Sequence, residues 1–364
     1  MDYCKIGKYQ AISLILILML NHLILNIPQN MYEISGNSIL LNIIWISTVI
    51  ILITFIVIKL FKNFAGKDLL DITDFVFGKK IRTIVGIVFI IYFLLSSSFL
   101  LRNFVEDIHS IYYIQIPTWV LCILMLSIGI ISNKLGANTV CKYNSIIVFI
   151  MLISTILVLL TAIPYYSTNN IYPLLGNGIN ATFLNGLSNI YAFSGFSFLY
   201  FIMPILKSNK DFKKVGISSV IVSSIYIFFA MLTFLFSFTF RIPTNGSSPL
   251  YLVLLSAELG RFFQRPAAIF ILTWMLSIMS FLSVIIMFCS IIFKKMCNTK
   301  NSSSLSYIFG SLIYIIALIP SNLIIVHDFE NTIYRYFTII LVFILVPLLL
   351  IIANIKYKHL KGGT

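Results

Sequence analysis

Acidic residues are scarce in this chain. Only 11 of 364 residues are Asp or Glu, and charged residues of either sign make up 10%. A soluble domain carries about a quarter of its residues as charges, so water is excluded as the main solvent. The five cysteines, Cys4, Cys122, Cys141, Cys289 and Cys297, stand far apart. All five fall in apolar stretches or on the lysine-rich side, so no disulfide framework follows, and their spacings match no zinc motif. The chain also lacks G-x-x-x-x-G-K-[ST], H-E-x-x-H and G-x-S-x-G, so no enzyme constellation and no cofactor site is expected. Gly176-Asn177-Gly178 is too short for a phosphate loop.

What is abundant is apolar: 60% of residues are hydrophobic and the mean hydropathy is +1.03. Segments of about 20 apolar residues cross a hydrocarbon core as helices. Such stretches lie near 9–28, 38–60, 82–104, 117–133, 143–163, 186–206, 215–240, 266–293, 305–323 and 332–355, numbered here as spans one to ten. The first follows Lys5 and Lys8 as a secretory signal would, but it lacks a small-residue cleavage site and reads as retained. An all-α polytopic protein with ten transmembrane helices in a lipid bilayer is expected.

Basic residues fall on every second connection. Of the 25 Lys and Arg, all but Arg102, Arg241, Arg261, Arg265 and Arg335 lie on one side of this alternation. By the positive-inside rule that side is cytoplasmic and both termini lie there, with 356–364 as a tail. The net charge of +14 is thereby explained by topology, and no nucleic-acid partner is called for.

Three connections stand out. Residues 164–185 carry Tyr172-Pro173-Leu174-Leu175-Gly176-Asn177-Gly178, which cannot continue a helix and is expected to fold back over the outer mouth. Residues 241–265 read either as a lid or as an interfacial helix. In 66–79, Lys67, Asp68, Asp71 and Asp74 interleave with Leu69, Leu70, Ile72, Phe75 and Phe77, the pattern of an amphipathic surface helix.

Ten spans divide into two sets of five, and an odd number per half makes the second half enter from the opposite side. This predicts an inverted repeat, residues 1–163 against 186–355, with a ligand held near mid-membrane by helices broken at corresponding places. Spans one and six are those places. Span one holds Asn21, His22, Leu23 and Asn26 before Pro28. Polar groups at that depth either face a cavity or bond a neighbouring helix. Span six reads Phe193-Ser194-Gly195-Phe196-Ser197, where glycine and serine tolerate a break or permit close packing. Ser96 and Ser97 in span three, and Ser277, Ser280 and Phe281 on one face of span eight, either line the pocket or bond their own preceding turns. Arg102 and Glu106 are spaced for a salt bridge. Unwound backbone at two breaks would suit the carboxylate and ammonium of a zwitterion, which makes a free amino acid the ligand class to expect.

Pro28 closing span one, the 172–178 stretch after span five, Pro204 before a lysine cluster, and Gln264-Arg265 ahead of Trp274 together resemble the B subunits of spore germinant receptors. The resemblance implies a LeuT-like fold of the amino-acid/polyamine/organocation transporter type, placed in the spore inner membrane. It further implies assembly with an A subunit and a lipoprotein C subunit, and a role in sensing nutrients such as amino acids to begin germination. Asn21-His22-Leu23 stands where such proteins carry a glycine-rich break. Phe196 to Phe198 lacks their acidic residue, and Gln264 replaces their Glu.

Overall fold

The apolar stretches wind into helices because nothing else satisfies backbone polar groups away from water. In the computed structural model, which describes residues 5–21, 27–111, 115–237, 266–297 and 303–362, all regular structure is helical apart from one isolated bridge between Ile6 and Leu206. The described helices are α1 Lys8–Leu20, α2 Ile27–Ser35, α3 Ile39–Phe61, α4 Leu69–Phe77, α5 Lys79–Ile111, α6 Thr118–Lys134, α7 Ala137–Ala162, α8 Ile179–Phe183, a 3₁₀-wound segment Asn185–Tyr200, α9 Asp211–Ser237, α10 Pro266–Cys297 and α11 Ser303–Leu318. A last helix starts at Leu323 and runs through two π turns, Glu330–Tyr334 and Ile339–Leu345, to Gly362.

Six helical stretches are long and apolar enough to cross a membrane: Pro28–Phe61, Lys79–Ser110, Ala137–Ala162, Asp211–Ser237, Ile271–Cys297 and Leu323–Lys361. Lys8–Leu20, Thr118–Lys134 and Ser304–Leu318 are shorter apolar helices. Each apolar stretch read from the sequence overlaps one of these or the 3₁₀ segment. Residues 241–265 lie outside the described residues.

Both faces of these helices are apolar, so burial follows packing rather than polarity. On α3, Ile39, Ile43, Ile46, Ile50, Val57 and Phe61 are buried, while Ile44, Leu52, Phe55 and Ile56 are exposed on the opposite side. The first set recurs at helical spacing and faces the protein; the second is left for lipid. The apolar stretch of α10 is 83% buried against 33% for that of α3, which makes α10 the central pillar, packed on α5, α6 and α7. Against it lies a second group in which α1 packs on α7, α9 and the 3₁₀ segment.

The amphipathic surface helix is α4. Asp68 caps it by accepting from the Asp71 N–H at 3.0 Å, and Asp71 returns the bond to the Asp68 N–H at 3.2 Å, a reciprocal cap that satisfies two orphan donors. Lys295 at the end of α10 reaches Asp68 at 2.7 Å and Asp71 at 2.5 Å. Lys356 on the last helix donates to the carbonyls of Phe75 and Val76, both at 2.9 Å. The helix is thereby tied to two spans remote in sequence.

The 172–178 stretch is a clasp. Gly176 adopts φ +48°, and a Cβ there would stand 2.2 Å from the Ser35 carbonyl oxygen. Asn177 donates its N–H to Ser35 O at 3.2 Å and its side-chain amide to the carbonyls of Glu33 and Ile34. Thr182 pairs with Ser38 at 2.6 Å. The loop before span six is thus bonded to the α2–α3 junction.

Candidate ligand site

Within span one, α1 ends at Leu20, and the next described helix, α2, begins at Ile27 and leads into the Pro28–Phe61 stretch. Asn21 is the C-terminal cap of α1 and fully buried. Its amide donates to Ile17 O at 2.8 Å and its Oδ1 accepts from Ser277 of α10 at 3.0 Å. His22 and Leu23 lie outside the described residues. Span six is irregular: it winds as 3₁₀ rather than α, and Phe193 departs from helical dihedrals at φ −96°, ψ 24°. α1 meets span six two residues beyond Phe193. A Cβ on Gly195 would stand 2.5 Å from the Leu18 carbonyl carbon and oxygen, so backbone touches backbone where span six crosses α1.

Around this crossing the residues singled out in the sequence divide. Ser277 joins Asn21 and also contacts Met151 of α7 at 3.0 Å. Ser280 donates to Asn144 of α7 at 2.9 Å, and Phe281 is fully buried beside them in sequence. Ser194 is buried with no hydrogen-bond partner for its hydroxyl, while its carbonyl accepts from Tyr92 of α5 at 3.3 Å. Phe193 is fully buried. Ser97 bonds its own preceding turn, at Phe93 O and Leu94 O. Ser96, also buried, precedes it on α5. Spans one, six and eight therefore converge through Asn21, Gly195 and Ser277, and span three reaches them through Tyr92 rather than through Ser97.

A second polar cluster lies between span six, α5 and the last helix. The last helix starts nine residues before the apolar run beginning at 332, and so carries Glu330 and Arg335 within it. Glu330 accepts from Tyr191 OH at 2.8 Å and from Asn103 of α5 at 3.2 Å. Arg335, 8% exposed, donates to Asn189 at 3.3 Å and stands 6.0 Å from the centre of the Tyr191 ring. Asn189 in turn donates to Asn42 at 2.8 Å, and Asn42 donates to the carbonyls of Thr182 and Gly186. This chain runs from the last helix to the clasp. Arg102 and Glu106 pair at 2.6 Å as their spacing predicts.

A family model described as spore germination protein matches residues 5–324. The chain belongs to the spore germination protein family. Among its relatives is spore germination protein YndE of Bacillus subtilis (strain 168), 24% identical over 87% of this chain and 88% of that protein. Spore germination protein B2 of the same organism is 21% identical, covering 69% of this chain and 68% of its own length, and spore germination protein KB is 22% identical over 67% of each. Among solved structures, a substrate-bound, outward-open Na+-coupled sialic acid symporter superposes with a TM-score of 0.66, covering 93% of this chain and 79% of that one at 13% identity. The fold is thus LeuT-like, and this spore germination protein is an integral membrane protein built as transporters are.

Sequence reading passed over Glu330, Arg335, Tyr191 and Asn189 in this family member. Each looks ordinary alone: Tyr191 and Asn189 sit at the mouth of an apolar run, and Glu330 before another. A signal was present nonetheless in the spacing of Asn185, Asn189, Tyr191 and Ser194, too many polar groups for a segment facing only lipid.

Proposed function

We propose that this chain is the B-type subunit of a germinant receptor in the spore inner membrane, both termini cytoplasmic, which binds a free amino acid among spans one, three, six and eight. The observation that carries this reading is the meeting of the Asn21-capped end of α1 with the irregular span six at Gly195 and with α10 at Ser277. Helix ends and irregular turns expose amides and carbonyls that complement a zwitterion. In this reading one such element comes from each five-span half, 1–163 and 186–355, as inverted repeats would place them. Binding stabilises one arrangement of the halves, and that bias passes to A and C subunits; a ligand shifts such an equilibrium only by its differential affinity for the two states.

The test is germinant dose-response in spores carrying Asn21→Ser or Ser277→Ala in the assembled receptor. Both variants are predicted to raise the half-maximal amino-acid concentration by roughly 10-fold or more, the scale of one or two lost hydrogen bonds in a buried site. Unchanged curves with normal receptor levels would sink the central pocket. A second reading, an amino-acid permease acting alone, is favoured by the likeness to a symporter fold. Saturable uptake by proteoliposomes holding only this chain would establish it. No catalytic step is assigned.

A further inference from the structure

The π turn Glu330–Tyr334 does something an α turn would not. Its i to i+5 bond, from the Arg335 N–H to the Glu330 carbonyl, sets these two residues one above the other on the face turned to span six. π turns of this kind recur at functional sites. A carboxylate and a guanidinium so placed would ordinarily pair, yet among the described residues no ion pair joins them. Tyr191 stands between, its hydroxyl on Glu330 and its ring beneath Arg335. Among the described residues Glu330 is bonded by two neutral donors, Tyr191 and Asn103. Arg335 is bonded to the neutral Asn189, and among the described residues its buried Nε has no hydrogen-bond partner. Asn103 Oδ1 beside Glu330 is likewise buried without one among them. Two opposite charges held apart in a buried cluster of neutral polar groups, with hydrogen-bonding capacity left over, are costly unless something spans them.

We propose that Glu330 and Arg335 form a second binding site, for the zwitterionic backbone of a free amino acid, with Glu330 taking the ammonium group and Arg335 the carboxylate. A guanidinium binds a carboxylate through two parallel N–H bonds, and Nε is one of the donors such a fork uses. The site lies between spans three, six and ten, towards the end of the last helix remote from Lys356 and Lys358. Next to it Asn331 exchanges hydrogen bonds with Asn30 of α2 at 2.8 and 3.3 Å, which connects its occupancy to α2 at the start of the Pro28–Phe61 stretch. The ligand class here follows from the two charges and goes beyond the central pocket.

The experiment is equilibrium binding of a panel of free L-amino acids to the full chain in lipid nanodiscs, with N-acetyl and C-terminal amide forms of each binder. Glu330→Gln keeps the acceptor for Tyr191 and Asn103 and removes the charge; Arg335→Lys keeps the charge and removes the fork. Each is expected to weaken binding by roughly 10- to 100-fold, the range for one charged hydrogen bond. N-acetylation should weaken wild type by the same factor and cost Glu330→Gln nothing further; amidation should stand in that relation to Arg335→Lys. Should Arg335→Lys not fold, Glu330→Gln with the N-acetyl ligand decides alone. Unchanged affinity in folded Glu330→Gln, or no binding across the panel, overturns the site. Loss in Asn21→Ser but not in Glu330→Gln overturns it while leaving the central pocket standing, and the reverse pattern does the opposite.

Discussion

A methyl group added at Gly195 would meet the Leu18 carbonyl carbon and oxygen at 2.5 Å and the Met19 nitrogen at 2.6 Å, all backbone atoms that no rotamer change can clear. At Gly176 a left-handed φ of +48° adds conformational strain to a 2.2 Å clash with Ser35 O. Gly195 packs on α1 and Gly176 on the α2–α3 junction. Overpacking of this kind costs about 1–3 kcal/mol, so Gly195→Ala and Gly176→Ala should each lower the melting temperature of the purified chain. Gly7→Ala, with open space around it and an ordinary φ of −75°, should not. The same distances decide a question the sequence leaves open. Gly195 serves close helix packing, and whatever a ligand touches at this crossing is backbone or a neighbour of that glycine.

At the scale of the element, α4 is held by a triad of two carboxylates around one ammonium. Burial pushes the Asp68 carboxyl up from 3.8 to about 6; Lys295 opposes the rise and Asp71 adds to it. The physical reason is that Asp68 is buried, 2% exposed against 34% for Asp71, and it shares its one ammonium with that second carboxylate. A folded-state value above the ordinary one means that the folded protein binds this proton more tightly than the unfolded chain. The corresponding stability is present below about pH 4 and is lost as pH rises through about 6, at no more than about 1.4 kcal/mol per pH unit. Wild-type protein is therefore predicted to unfold at lower temperature at pH 7 than at pH 5. Asp68→Asn, which leaves Lys295 paired with Asp71, should flatten that difference, and an unchanged slope in thermal melts would remove Asp68 as its source. α4 was legible in the sequence because its apolar residues recur at helical spacing beside Asp68 and Asp71. Most spans were legible for the plainer reason that uninterrupted apolar runs have one fate in a bilayer. The Glu330–Arg335 site was not, because its meaning depends on partners 139 and 227 residues away and on a π turn that apolarity does not encode. Of the two alternatives left open for Ser97, the described structure shows the bond to its own preceding turn, at Phe93 O and Leu94 O, as serine hydroxyls in membrane helices commonly make.

Across the whole molecule, spans one and six are joined at three heights. At the lysine-rich end Ile6 bridges Leu206, with Ile6 N–H on Ile205 O at 2.8 Å and Lys207 N–H on Ile6 O at 3.0 Å, and Lys5 caps Pro204 O at 2.8 Å. Gly195 fixes the middle, and the Asn177 clasp fixes the far end. Packed interfaces of this kind behave as units rather than deforming continuously. A ligand held against spans one and six is then expected to move them together, relative to α6 and α10. Two pairs of spin labels separate this from independent motion, in protein with Cys4 and Cys297 replaced. The exposed Tyr9 and Lys207 both report on the joined pair, so the distance between labels at Tyr9→Cys and Lys207→Cys should not change on adding saturating amino acid. Tyr9→Cys against Leu135→Cys, exposed at the end of α6, crosses from one group to the other and should shift. A shift within the first pair would mean that the bridge at Ile6 opens during the cycle, and spans one and six would then have to be treated as separate moving parts.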